Sequence, residues 1–145
     1  MKHRHLNRLL CGIMMTVATF MTSCSGSSAS SLTHEAQEAL DAGDPAHARA
    51  LCDEAMAADD SKKLSASQLA QISLIYMKIA DDDVNDDGET VGLAVNAYER
   101  AMEISPDSAL LYYSSVDYND TRHVKTLLSV VRGLELPDSC LIDEP

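Results

Sequence analysis

The sequence predicts an all-α chain built from antiparallel helix pairs, and three observations carry that prediction. Large apolar residues recur at threes and fours through Leu69–Ile79 and again through Val91–Met102, the spacing that lays a stripe along one helical face. Helix punctuation separates the stripes: Gly43-Asp44-Pro45, Ser65, Pro106 and Gly133. The palette suits helices, with 46% hydrophobic residues but only 4% aromatic, no Trp, and a core left to Ala, Leu, Ile, Val, Met and five tyrosines. At 145 residues this is one domain with modest burial per residue.

Residues 1–23 are read as a leader rather than fold. Lys2, Arg4 and Arg8 form a positive start, Leu9 to Phe20 an apolar run of secretory length, and Met21-Thr22-Ser23-Cys24 a small-residue junction. The run is too short for a comfortable membrane span. The junction resembles a bacterial lipoprotein box, with Met21 where leucine is usual, and the resemblance implies that Cys24 becomes the first mature residue and carries the acyl chains. Several chains anchor stably where one binds only reversibly. Ser25 after the cysteine favours, by the same analogy, delivery to the outer membrane. Residues 24–31 then read as the acylated cysteine and a Ser/Gly-rich tether.

The helical domain is expected over residues 32–134. Leu32, Ala36, Ala39 and Leu40 open a first helix that stops at Gly43; Asp44 caps the next, and Pro45 occupies its first turn, where a missing N–H costs least. Ala48, Leu51, Cys52, Ala55 and Met56 carry that helix to Asp59. In the central unit, Leu69, Ile72, Leu74, Ile75, Tyr76 and Ile79 form a packing helix whose start is capped by Ser65 with Gln68, or by Ser67. Val91, Ala94, Val95, Tyr98, Ala101 and Met102 form its partner, closed by Pro106.

The central pairing resembles the tetratricopeptide repeat. Leu69, Ile72, Ser73 and Tyr76 stand at the large, leucine-like, small and tyrosine positions of the repeat's first helix, and Ala94, Tyr98, Ala101 and Pro106 match its second. The match places Ala80–Glu89 as an insertion between the helices. Leu32, Ala36, Ala39, Gly43, Asp44, Ala48 and Ala55 fall in the same register, with Asp60 and Cys52 replacing the usual proline and aromatic. The resemblance implies a short α-solenoid of two repeats. Ser108–Val116, with Leu110, Leu111, Tyr112 and Tyr113, and Asp120–Arg132, with Val124, Leu127, Leu128 and Val131, read as a third hairpin that caps the stack and ends at Gly133. Residues 135–145 read as a loose acidic tail.

Charge narrows the partners. Without residues 1–23 the chain keeps all 23 acidic residues and eight basic ones, a net of −15, which argues against nucleic acid and anionic lipid headgroups. Asp83-Val84-Asn85-Asp86-Asp87-Gly88 has the order in which Asp83, Asn85 and Asp87 wrap calcium, but position twelve of such a loop is Ala94 rather than a bidentate Glu. A solvated insertion explains the same residues, so no cofactor is expected and calcium stays the one open ion. Cys52 and Cys140 are an even pair if Cys24 is acylated; they form a disulfide, or Cys52 is a buried thiol on a core-facing position. His34, His47 and His123 are not spaced as a metal box, and no phosphate loop or nucleophile elbow occurs, so no enzyme is expected. Asp107-Ser108-Ala109 resembles the O-glycosylation sites of secreted proteins from Bacteroides-like bacteria; capping of a helix by Asp107 or Ser108 is the preferred reading.

By the repeat resemblance the concave face is lined by Thr33, Gln37, Leu40 and Asp41, then Ala70, Leu74, Met77 and Lys78, then Tyr113 and Asp117. Together these readings describe a small envelope lipoprotein similar to those of the Bacteroidales, lipid-anchored through Cys24 and engaging a protein or peptide partner through that face. Two other readings follow from the same residues: a small ion- or ligand-binding lipoprotein using Asp81–Glu89, and a structural subunit of an envelope assembly.

Overall fold

The computed structural model describes residues 28–58, 64–83 and 88–135. Six helices follow one another: α1 (Ala29–Asp41), α2 (Pro45–Ala58), α3 (Ala66–Asp82), α4 (Glu89–Ile104), α5 (Pro106–Ser115) and α6 (Tyr118–Glu135). Among the described residues there is no strand, and the chain is all-α as expected. The leader, Cys24, Asn85, Asp87, Cys140 and the acidic tail lie outside the described residues.

Helix α1 starts three residues earlier than the composition suggests. The Ser28 hydroxyl accepts from the Ser31 N–H, Ala29 is buried, and the Thr33 hydroxyl donates to the Ala29 carbonyl at 3.0 Å. Residues 29–31 of the expected tether therefore belong to the fold, because a serine-rich run contains a good N-cap followed by a small core residue. At the other end Gly43 has φ +79°, with its N–H on the Leu40 carbonyl and the Asp44 N–H on the Ala39 carbonyl. That six-to-one and five-to-two pair is a Schellman closure. The Asp44 carboxylate then accepts from the His47 N–H at 3.0 Å and starts α2.

A Cβ on Gly43 would meet nothing within 4 Å, so the demand there is conformational. Gly43→Ala is expected to lower stability by about 1–2 kcal/mol, the cost of holding an L-residue left-handed, and Gly43→Asn by less, read as denaturant midpoints.

Helix α3 is the centre of the core. Leu69, Ile72, Leu74, Ile75, Tyr76 and Ile79 are all buried along it, and it packs on each of the other five helices. Ser65 caps it with the reciprocal arrangement: its hydroxyl accepts from the Gln68 N–H at 3.3 Å, while its own N–H donates to the Gln68 side chain at 2.9 Å. Ser65, not Ser67, is the cap. The expected insertion is partly helix, since Ala80, Asp81 and Asp82 extend α3 and Glu89 begins α4 after Gly88 at φ +91°.

Helices α1 with α2, and α3 with α4, are closely packed pairs, and α3 sits on both members of the first. A polar chain ties α2 to the second pair. The Tyr76 hydroxyl donates to Asp53 at 2.6 Å, Asp53 faces Arg49 on its own helix, and Arg49 reaches the Thr90 hydroxyl and Glu89, both at 3.0 Å. Buried alanines at 94, 97 and 101 let α4 approach its neighbours closely.

Helix α5 begins at Pro106, with Ser105 as its cap and neither Asp107 nor Ser108 in that role: the Ser105 hydroxyl accepts from the Ser108 N–H at 3.3 Å. Tyr113 seats α5, its hydroxyl 2.7 Å from that of Ser73 on α3 and its ring 5.8 Å from that of Tyr98 on α4. The expected third hairpin is present in order but not in packing. Helices α5 and α6 hardly touch each other; each rests instead on α3 and α4. Leu110 and Leu111, expected on the capping hairpin, are 49% and 69% exposed. Gly133 does not end α6, which runs on to Glu135.

Candidate functional site

The C-terminal turns of α1 and α3 and the first turns of α6 enclose a polar cleft of about 420 Å³. Leu40 and Asp41 come from α1, Lys78, Asp81 and Asp82 from α3, and Asn119, Asp120, Arg122 and His123 from α6. The helices present these side chains for simple reasons. Lys78 and Asp81 are three residues apart and so share one face of α3. Asp117 caps α6, accepting from the Asp120 N–H at 3.0 Å, which aims the next residues of that helix back at α3.

Lys78 Nζ lies 2.8 Å from both carboxylate oxygens of Asp120. Arg122 donates to Asp81, and His123 Nε2 lies 3.6 Å from the same carboxylate. His123 Nδ1 is buried without a hydrogen-bond partner. Behind the cleft, Met77, Ala80 and Asp81 of α3, Val91 of α4, and Arg122, His123 and Thr126 of α6 line a smaller cavity of about 190 Å³. Four carboxylates therefore line the cleft with Lys78 and Arg122, and each cation is already engaged by one of them.

The structure brings together only part of the face expected from sequence. Leu40, Asp41 and Lys78 meet in the cleft. Gln37 stands one turn back on α1, its amide on Asp41 at 2.8 Å. Leu74, Met77 and Tyr113 are buried, as are Thr33 and Ala70, so they are core rather than groove. The reason is in the packing: α6 lies over the α3 face that carries Met77, and Tyr113 points into the α3–α4 junction. Asp117 serves as the α6 cap and not as a cleft residue. Asp83, the one described member of the acidic-loop triad, is exposed beyond the end of α3. Arg122 and His123 lie outside the expected face, and their partner Asp81, expected only as the start of the acidic loop, is about forty positions away in the chain, a separation that helical periodicity cannot see.

Cys52 is fully buried on α2, and burial, reinforced by neighbouring Asp53, pushes its thiol from 9.0 up to about 12. Tyr112 moves from 10.0 to about 12, chiefly by burial and secondarily through Asp120. In both cases the fold holds a proton that the unfolded chain releases. Their stabilising contribution is thus complete below pH 9.0 and lost as pH rises towards 12, and denaturant midpoints are expected to fall steadily across that window.

Among the described residues no group of three or more His, Cys, Asp or Glu side chains is arranged to hold a metal ion, and no helix is long and apolar enough to cross a membrane. No family model, curated protein or solved structure matches the chain.

Proposed function

We propose that the chain is a membrane-anchored helical-repeat lipoprotein, tetratricopeptide-like in its first four helices, that acts as a non-catalytic protein–protein interaction module in the bacterial cell envelope. The observation that carries the reading is the meeting of Leu40, Asp41 and Lys78 in one cleft. These residues occupy the concave positions of two successive repeats in the register read from sequence, and a shared cleft is what that register requires. The neighbour relations of the first four helices support it: α1 packs with α2 and α3 with α4, and α3 also contacts α1 and α5. The cleft is polar and open, with charges of both signs, which suits recognition of a charged peptide or helix more than enclosure of a small molecule. Anchoring rests on the Thr22-Ser23-Cys24 junction.

The test is cross-linking of the tagged full-length protein in its native membrane, with neighbours identified by mass spectrometry. A recurrent neighbour is expected for the wild type, lost in Asp41→Lys and in Lys78→Glu; Cys24→Ala is expected to move the protein to the soluble fraction. Polar substitutions at Leu74, Met77 or Tyr113 are unsuitable probes, because these side chains are core. A neighbour unaffected by both charge reversals would remove the cleft from the reading.

A further inference from the structure

The α3 face that holds Met77, Lys78 and Asp81 is occupied, and its occupant is a helix of the same chain. Helix α6 is held there through Asp120 on Lys78 and Arg122 on Asp81, with Val124, Leu127 and Val131 buried on one stripe. Three features mark this docking as exchangeable. The stripe is flanked by Leu128 and Val130, partly buried against the same core, and Leu134, one turn further along it, is 68% exposed. His123 Nδ1 is buried without a partner, a desolvation cost that the docked state bears. The helix that precedes α6 lacks the partner a hairpin would supply, since Leu110 and Leu111 of α5 face outward. Val116 and Asp117 alone link α5 to α6.

We propose that α6 is an internal ligand of the α3 face, and that the external partner of this surface is an amphipathic helix of the same pattern. Such a helix carries a carboxylate, a guanidinium two residues on, and apolar residues four, seven and eleven residues after the carboxylate, as Asp120, Arg122, Val124, Leu127 and Val131 do. When it binds, Lys78 and Asp81 exchange one set of opposite charges for another, and α6 turns about Val116–Asp117 to cover Leu110 and Leu111. Competition of this kind lowers the apparent affinity by the fraction of molecules in which the face is open. The identity of the partner's chemistry deepens the interaction-module reading and rests on it; the exchange of α6 does not.

The test uses the full chain in detergent and a fluorescent synthetic peptide of residues 117–135 as the probe, followed by anisotropy. Saturable binding to the wild type is expected. The protein variant Asp120→Ala with Arg122→Ala, which loosens α6 but leaves Lys78 and Asp81 intact, should bind the peptide at least about tenfold more tightly. A second variant, Ala80→Cys with Thr126→Cys and Ser at Cys11, Cys24 and Cys140, is joined across the small cavity by a short bismaleimide. It should lose binding when bridged and keep it unbridged. Equal binding by bridged and unbridged protein, or none by the loosened variant, overturns the exchange. Those results leave the membrane cross-linking outcome untouched, whereas loss of the native neighbour with peptide exchange intact would discard the interaction module alone.

Discussion

Replacing Tyr76 with alanine is expected to destabilise the domain by about 3–5 kcal/mol, as large-to-small changes at fully buried aromatic positions do. Tyr76 is 1% exposed at the centre of α3, and its hydroxyl bonds Asp53 of α2. Two effects are therefore mixed in that change. Tyr76→Phe separates them, keeping the ring and removing a hydrogen bond to a charged acceptor, for about 1.5 kcal/mol at the low end of such bonds because Asp53 is partly in water. Packing is thus expected to outweigh the hydrogen bond by roughly twofold or more. Equilibrium denaturation of both variants decides it. Equal losses would mean that the polar chain through Asp53 and Arg49, rather than the buried ring, holds the first pair on the second.

Leu127→Ala is expected to cost about 2–5 kcal/mol as well, but in one place. Leu127 is fully buried, while α6 is the last described helix and rests chiefly on α3 and α4. Its loss should appear as local undocking rather than global unfolding. Amide exchange over residues 118–135 should accelerate by about 30-fold or more, the equivalent of 2 kcal/mol, with little change over residues 66–82. Uniform acceleration through α3 would show that α6 is integral to the core.

Much of this architecture was legible in the chain because its signals are local. The stripe from Leu69 to Ile79 has helical period, and the Ser65–Gln68 pair is a complete capping box; α3 follows from residues that touch one another within a few turns. Gly43, Asp44 and Pro45 likewise specify the first corner without help from the rest of the molecule. The start of α1 was obscured because Ser25–Ser31 has the composition of a linker, and nothing in composition separates a capping Ser28 from its neighbours. The seat of α6 was not legible at all. An amphipathic stripe such as Val124, Leu127 and Val131 states that a helix must be covered on one side, without stating by what. On α3 the helix meets Lys78 with Asp120 and Asp81 with Arg122, pairs that become neighbours only after folding. The same placement goes with Met77, assigned by register to an open groove, being core, and with Leu110 and Leu111 of the expected capping hairpin facing water.

The central claim is that the cleft side of α1 and α3, where Leu40, Asp41 and Lys78 meet, is the working surface. Its most direct measurement places a photoreactive side chain at Asp41, in the cleft, and separately at Asn96, exposed on α4. Each full-length protein is then irradiated in intact cells. A discrete cross-linked partner from position 41, absent from position 96 and diminished by Lys78→Glu, is the expected result. Cross-links of equal kind and yield from both positions, or from position 96 alone, would contradict it.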